Sequence, residues 1–191
     1  MRPPLGRLTP ALVSLAVAAA LSACTPDNPQ TTPPQAAAPC PDFWTGAWTA
    51  SVPPGGTLPG GAHATTPVKA ADASFRPLFV DPGSCTYLER WDTVPMSDGK
   101  SRRGVGVHHY DRKARTWSQL WIDNAGAEST SAGQEFERGV RYTPTVAPAD
   151  GAQRRQIIVP LPGGNVRNYG EASRDGGKTW QVEFDFIYTR N

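Results

Sequence analysis

The amino-acid sequence predicts an all-β domain, and three observations support this fold class. The chain has 20 prolines and 19 glycines among 191 residues, so turns are frequent. Beyond the N-terminal segment, no stretch keeps the apolar period of about 3.6 residues that marks an amphipathic helix. From Phe43 onward, short runs alternate apolar and polar residues between Gly, Pro, Asp and Asn, which is typical of antiparallel strands.

This alternation predicts about ten strands, and the last strand is the clearest. One of its faces is expected to hold Trp180, Val182, Phe184, Phe186 and Tyr188, and the other Gln181, Glu183 and Asp185. The ten predicted strands are 43–52, 68–80, 85–94, 103–110, 116–123, 127–137, 139–147, 153–161, 165–173 and 179–190.

Two hairpin turns have similar sequences. Residues 110–117 and 173–180 each place an aspartate, Asp111 or Asp175, where its carboxylate can accept backbone N–H bonds, followed by Thr-Trp. The second segment resembles the Asp-box of sialidase-like β-propellers. A propeller needs at least four blades of roughly 40 to 50 residues, which this domain cannot supply. We therefore expect Asp175 and Trp180 to be structural.

The N-terminus has the features of a secretory signal. Arg2 and Arg7 precede an apolar run at 12–21, which is too short to span a bilayer. The run ends in Leu21-Ser22-Ala23-Cys24, which resembles the lipobox of bacterial lipoprotein precursors. We expect a signal peptide at 1–23 and lipid attachment at Cys24. The alternative is an ordinary cleavable signal with a chance cysteine.

The segment from 24 to 41 is rich in proline and polar residues and predicts a disordered linker between the lipid and the domain. The protein would then be anchored in the cell envelope, on the extracytoplasmic side of a membrane. Thr25, where some envelopes read an aspartate as an inner-membrane retention signal, favours the outer membrane if the cell has one.

Three cysteines occur in the chain, and Cys40 and Cys85 remain if Cys24 carries lipid. An oxidising compartment favours a disulfide between these two, the alternative being two buried thiols. No metal site is expected, because the adjacent His108 and His109 lack the spacing for tetrahedral chelation. The sequence also indicates no cofactor. A net charge of only +2, with both signs interspersed, argues against nucleic-acid binding.

Several short motifs recur in order along residues 42–191 and resemble a large bacterial family of uncharacterised lipocalin-like domains. They are Asp42–Trp48, a cysteine followed by Leu88–Trp91, Tyr110-Asp111 leading to Trp117–Asp123, Val166-Arg167, Ser173–Trp180 and Tyr188–Arg190. The resemblance implies a calycin-type antiparallel β-barrel of about eight to ten strands. It also implies that Gly46 and Trp48 form the Gly-x-Trp of the first strand, with Arg190 against the indole. A Pro/Gly-rich insertion at 53–67, containing His63, departs from the shorter members of the family.

The first functional hypothesis is a barrel that binds a small hydrophobic or amphipathic ligand. The residues expected to line its cavity are Glu89, Arg90, Trp91, His108, Tyr110, Trp117, Trp121 and Tyr169. The alternative is that the aromatic residues among them simply fill the interior.

Two other classes of function remain open. An envelope interaction module would dock another protein on an exposed apolar patch of the barrel. An enzyme would use Glu89 and Asp123 as acid and base, beside His108 or His109. No complete set of nucleophile, base and orienting group is visible in the sequence, so catalysis is the weaker hypothesis.

Overall fold

The computed structural model describes residues 39–57, 63–81, 83–94 and 100–191. The predicted signal peptide 1–23, the lipid site Cys24 and most of the predicted linker 24–41 lie outside the described residues. Cys40 and Pro41, at the end of that linker, are attached to the domain. Cys40 is bonded to Cys85, and the Tyr87 hydroxyl donates to the Pro41 carbonyl at 2.6 Å.

The described residues form an all-β fold with ten strands, as the alternation predicts. The strands are β1 Gly46–Val52, β2 Val68–Pro77, β3 Thr86–Thr93, β4 Arg103–Asp111, β5 Thr116–Asp123, β6 Glu128–Phe136, β7 Gly139–Pro144, β8 Gln153–Pro160, β9 Val166–Ser173 and β10 Gln181–Arg190. A single 3-10 turn at Pro162–Gly164 separates β8 from β9. The first strand begins later than predicted because residues 42–45 form a turn, closed by Thr45 N–H donating to the Asp42 carbonyl.

The ten strands form one closed antiparallel barrel, in which each strand pairs with its sequence neighbours and β10 pairs with β1. The closing register places Trp48 opposite Arg190 and Ser51 opposite Ile187. We call the end of the barrel where β1 begins the first end and the other the second end. The first end holds residues 39–45 and the β2–β3 loop, and the second end holds the β1–β2 loop and the 174–180 turn.

The barrel interior is filled mainly by aromatic side chains that alternate inward along the strands. Several of these rings lie against glycines of neighbouring strands. A Cβ on Gly104 would lie 2.0 Å from the Trp121 ring, and a Cβ on Gly170 would lie 2.2 Å from the Phe184 ring. Any larger residue at these two positions would therefore displace a ring from the interior.

One prediction about β10 is wrong. A register shift between Val182 and Phe184 turns the strand, so Phe184, Phe186 and Tyr188 pack inside while Val182 is exposed. Trp180, which was expected on the inner face, instead lies under the Arg155 guanidinium at 3.9 Å. A β-bulge adds one residue to one strand, and the period of two cannot reveal this.

The outer face of β8–β10 has a small apolar cluster of its own. Ile157 points outward, since it pairs with Tyr169, yet it is only 1% exposed. Arginines lie over the neighbouring rings, with Arg167 at 4.2 Å from the Tyr169 ring centroid. Arg167 also forms a bidentate ion pair with Asp185, at 2.8 and 2.9 Å. Stacked arginines thus shield apolar surface outside the barrel.

Two structural predictions can be read at the first end. Cys40 and Cys85 form a disulfide with a Cα–Cα distance of 5.3 Å, which ties the start of the domain to β3. The Arg190 guanidinium carbon lies 4.6 Å from the centroid of the Trp48 ring, and Arg190 donates a hydrogen bond to the Thr45 carbonyl. Gly46 adopts a positive φ of 147°, and a Cβ there would lie 2.8 Å from the Arg190 side chain.

Candidate functional site

The interior contains a chain of three hydrogen-bonded polar side chains, contributed by β3, β4 and β7. Glu89 Oε2 lies 2.9 Å from Nε2 of His108, and Nδ1 of His108 lies 3.0 Å from the Tyr142 hydroxyl. All three are buried, and His108 is fully inaccessible to solvent. Both ring nitrogens of His108 therefore have a side-chain partner inside the barrel.

A second polar chain crosses β8, β9 and β10. The Gln156 amide donates to Asn168 at 2.9 Å, and the Asn168 amide donates to the Tyr188 hydroxyl at 3.0 Å. Burial, and then the charge of Glu89, raise the pKa of both Tyr142 and Tyr188 well above the usual value. Both phenols therefore stay protonated and act as fixed dipoles inside the barrel.

Little space remains between these side chains. The region beside Glu89 leaves about 10 Å³ open to the centre of a water molecule, and it is lined by Trp44, Trp48, Ala73, Phe75, Ile158 and Tyr188. That volume corresponds to roughly one water, whereas ligand pockets usually measure about 300 to 1,000 Å³. The described side chains therefore pack closely around Glu89.

Four of the predicted cavity residues lie together in this core. Glu89 and His108 form the polar chain, and Tyr110 and Trp117 are buried nearer the first end with ring centroids 5.0 Å apart. Burial, and then the hydrogen bond that its hydroxyl donates to Glu135 at 2.6 Å, raise the pKa of Tyr110.

The other four predicted cavity residues are spread over the barrel. Trp91 and Trp121 point inward and are half-buried, and Trp91 packs 5.1 Å from Phe186. Arg90 and Tyr169 point outward, because the strand alternation that turns Glu89 inward turns Arg90 out, and Tyr169 supports Arg167 on the outer face. Arg90 and Tyr169 therefore do not line the interior.

The residues considered for acid–base chemistry do not assemble into one site. Asp123 lies in the β5–β6 turn, where Oδ1 accepts the backbone N–H groups of Ala125 and Ala127. His109 lies outside the barrel, with Nδ1 2.9 Å from the Thr86 hydroxyl. Only Glu89 and His108 are in contact, and both are enclosed by the core.

The 173–180 turn is held together by Asp175. Its carboxylate accepts hydrogen bonds from the Ser173 and Thr179 hydroxyls and from the Lys178 and Thr179 backbone amides, at 2.6 to 3.0 Å. These donors lower the pKa of Asp175 to about 2. The Trp180 indole N–H donates to the Gly177 carbonyl at 3.1 Å. All of these contacts are internal to the turn.

A surface cleft of about 500 Å³ lies beside this turn at the second end. Its walls include Thr57, Arg174, Asp175, Thr179 and Glu183. The two carboxylates are already engaged, Asp175 by the turn and Glu183 by Arg154 at 3.0 Å. The cleft therefore offers few free groups to a ligand.

Sequence reasoning missed Tyr142, Asn168 and Trp44 as members of the core. The signal was present in the alternation, since Val140 and Tyr142 share the inner side of β7. Trp44 lies in the turn before β1 and packs 5.2 Å from the His108 ring, so no strand period could have placed it. Its indole N–H has no hydrogen-bond partner among the described residues.

The outer face of β3, β4 and β5 carries an apolar patch that is partly exposed. It consists of Leu88, Val105, Val107, Leu120 and Ile122, which point outward in two adjacent rows, and we call it the apolar outer face. Val105 is 43% exposed and Ile122 is 49% exposed. Contiguous exposed apolar residues of this kind often mark an interaction surface.

The fold and the interior define the class of this protein as a closed, ten-stranded antiparallel β-barrel with a packed core, consistent with a lipocalin-like barrel. In comparisons with known proteins, no protein-family model and no curated protein matches this chain. Across the part of the chain that the structure describes, no cluster of His, Cys, Asp and Glu is arranged to hold a metal ion. Within the same residues, no helix has the length and apolar character needed to cross a membrane.

Proposed function

We propose that this protein is a lipoprotein of the bacterial cell envelope, anchored through Cys24, whose packed lipocalin-like barrel works as an interaction module through its outer face. The N-terminal pattern supports the anchor, because a basic segment, an apolar run and Leu21–Cys24 follow one another in the order of a lipoprotein signal. The Cys40–Cys85 disulfide fits an oxidising, extracytoplasmic compartment.

The observation that carries the interaction function is the contrast between the two sides of the sheet. Inside, aromatic and polar side chains leave about 10 Å³. Outside, Val105 and Ile122 are close to half exposed at the centre of the apolar outer face. A barrel whose described core leaves about one water's space beside Glu89, but which presents apolar surface to solvent, is better suited to docking than to carrying small molecules.

The anchor is tested by a Cys24→Ser substitution, followed by membrane fractionation of cells expressing each form. We expect the wild-type protein in the membrane fraction and the variant in the soluble extracytoplasmic fraction, since each buried methylene of a lipid contributes about 0.8 kcal/mol to anchoring. A Ser22→Ala variant, which keeps the small residue at that position, is the matched control and should stay with membranes. Retention of Cys24→Ser would contradict the anchor.

The interaction function is tested by placing a photoreactive amino acid at Ile122 in the apolar outer face. The same substitution at Thr189, which is exposed on β10 away from this face, is the control. Irradiation of intact cells should give one recurring protein adduct from the first position and none from the second. Absence of an adduct from both positions would contradict the proposed function.

A small-ligand function is the second candidate, and one observation favours it. The indole N–H of Trp44 has no partner among the described residues, and Trp44 and Glu89 both line the small internal space, where a small ligand could contact both side chains. Solvent extraction of the purified protein and mass spectrometry test it. We expect no stoichiometric molecule, and one recurring compound at near-equal amount would make ligand binding the better function.

A further inference from the structure

The apolar outer face has opposite charges at its two edges. The strand registers align Arg90, Val105, Ile122 and Glu128 in one row across β3, β4, β5 and β6. The adjacent row is Leu88, Val107, Leu120 and Thr130. The first row therefore runs from a cation, through two exposed apolar residues, to an anion.

The two charges at the edges are available for an external partner. Arg90 and Glu128 are both exposed, and neither forms an ion pair with any described residue. They are three strand spacings apart, roughly 14 Å, which is too far for them to pair with each other. The neighbouring Arg103 differs, because it is 3.2 Å from Asp92.

We propose that the partner of this face is a second copy of the same chain. In this dimer, a two-fold axis lies in the interface, parallel to the strands and between β4 and β5. The row of the second copy then runs in the opposite order to the row that it faces. This arrangement places Arg90 against the partner's Glu128 and Val105 against the partner's Ile122, and it makes each contact twice. A two-fold interface requires this kind of self-complementary surface. The inference rests on the proposed function, whose partner it names.

The size of the face sets the strength of the dimer. Four strands span roughly 14 Å, and the convex outside of a barrel allows close contact over only a few strands. A patch about 14 Å across covers roughly 200 Å², well below the roughly 800 Å² per partner of a standard interface, so the dimer is weak and exchanges rapidly. Anchoring to one membrane raises the effective concentration of neighbouring copies, which lets such a weak contact form.

The test uses the full chain with Cys24→Ser, followed by sedimentation over a wide concentration range. We expect a monomer–dimer equilibrium with a micromolar or weaker dissociation constant. Either Arg90→Glu or Glu128→Arg alone puts like charges together at both edges and should raise the dissociation constant at least about tenfold. Lys178→Glu makes the same charge change as Arg90→Glu, but in the 174–180 turn, and should leave the dissociation constant unchanged.

Mixing the two variants provides the decisive measurement. In a heterodimer of the Arg90→Glu chain with the Glu128→Arg chain, both edge contacts again pair opposite charges. The mixture should therefore dimerise while each variant alone stays monomeric. Unchanged thermal unfolding of both variants would show that folding is intact. A wild-type chain that stays monomeric at all concentrations, or variants that are not rescued by mixing, would overturn the dimer.

The photoreactive variant at Ile122 separates the failure of this inference from failure of the proposed function. An adduct of twice the chain mass supports the dimer. An adduct of any other mass, from a chain that sediments as a monomer, overturns the dimer and leaves the interaction module standing. Sedimentation with anionic phospholipid vesicles that depends on Arg90 would instead make a membrane surface the occupant and overturn the dimer.

Discussion

Glu89 and His108 form a hydrogen-bonded pair at the centre of the barrel, with Glu89 Oε2 and His108 Nε2 2.9 Å apart. Their contact depends on Gly106 between them in β4. A Cβ on Gly106 would lie 2.8 Å from His108 Nε2 and 3.0 Å from Glu89 Oε2. The absence of a side chain at one position therefore gives two buried polar groups room to meet.

Removing the carboxylate should destabilise the fold. Glu89→Ala leaves the buried Nε2 of His108 without a partner, which costs about 1 to 3 kcal/mol of unfolding free energy. Glu89→Gln keeps an acceptor oxygen and should cost less than about 1 kcal/mol. Urea unfolding followed by tryptophan fluorescence measures both values. Asp92→Ala, which breaks an exposed ion pair on the same strand, is the control and should cost at most about 1 kcal/mol. Equal losses for Glu89→Ala and Asp92→Ala would contradict the role of the buried pair.

The disulfide should contribute substantially to stability. It links residues 45 positions apart. Closing a loop of this length lowers the conformational entropy of the unfolded chain, which stabilises the folded protein by about 3 to 4 kcal/mol. Reducing the protein should therefore lower its unfolding free energy in urea by about that amount. The double variant Cys40→Ala, Cys85→Ala should show the lower stability from the start and no response to reductant. A wild-type protein unaffected by complete reduction would contradict this prediction.

Arg190 should stabilise the first end of the barrel through its cationic stacking on Trp48. Arg190→Ala removes this contact and the hydrogen bond to the Thr45 carbonyl, with an expected cost of about 1 kcal/mol. Arg190→Lys keeps the charge but loses the planar stacking, so its stability should lie between those of the wild type and Arg190→Ala. Thermal unfolding and the emission maximum of the tryptophans report the change. If alanine and lysine gave the same stability as arginine, the contact would have no energetic role.

Acid stability should depend on the 173–180 turn. The pKa of Asp175 is lowered to about 2 in the folded protein, against about 3.9 in the unfolded chain. A lowered folded pKa means that the carboxylate stabilises the fold above about pH 4, and that this contribution is lost as the pH falls toward 2. Asp175→Asn should therefore have a lower Tm than the wild type at pH 6. The Tm difference between the two proteins should be smaller at pH 2. Asp81→Asn, in the exposed β2–β3 loop, is the control, and a Tm difference for Asp175→Asn that stays constant with pH would contradict this assignment.

The fold was largely predictable because the strand period is strong in this chain. The alternation placed β5 at 116–123, which is where the structure has it, and turn residues such as Asp111 marked its beginning. The period fails where the backbone departs from regular pairing. Because of the bulge between Val182 and Phe184, Trp180 and Val182 lie on the outside of the barrel. No residue type in that segment indicates a bulge.

The interior was only partly predictable. The direction of a side chain depends on the strand register, and the residues that it contacts depend on the packing of the whole barrel. Glu89 and His108 were expected together, but their partner Tyr142 comes from β7, 34 residues after His108. Arg90 and Tyr169 were expected inside because their residue types suit a pocket. The space beside Glu89 is bounded by side chains from several strands. The pattern of any single strand therefore cannot predict whether that space is filled or open.

Closure between β1 and β10 has a consequence for when this protein can finish folding. Thr49 of β1 pairs with Thr189 of β10. The backbone groups on this edge of β1 therefore have no strand partner until β10 is available. A chain whose β10 has not yet been synthesised exposes that edge and is prone to pair wrongly. The barrel is therefore completed only when β10 is free to pair, and loss of β10 would leave an open sheet instead of a shorter barrel.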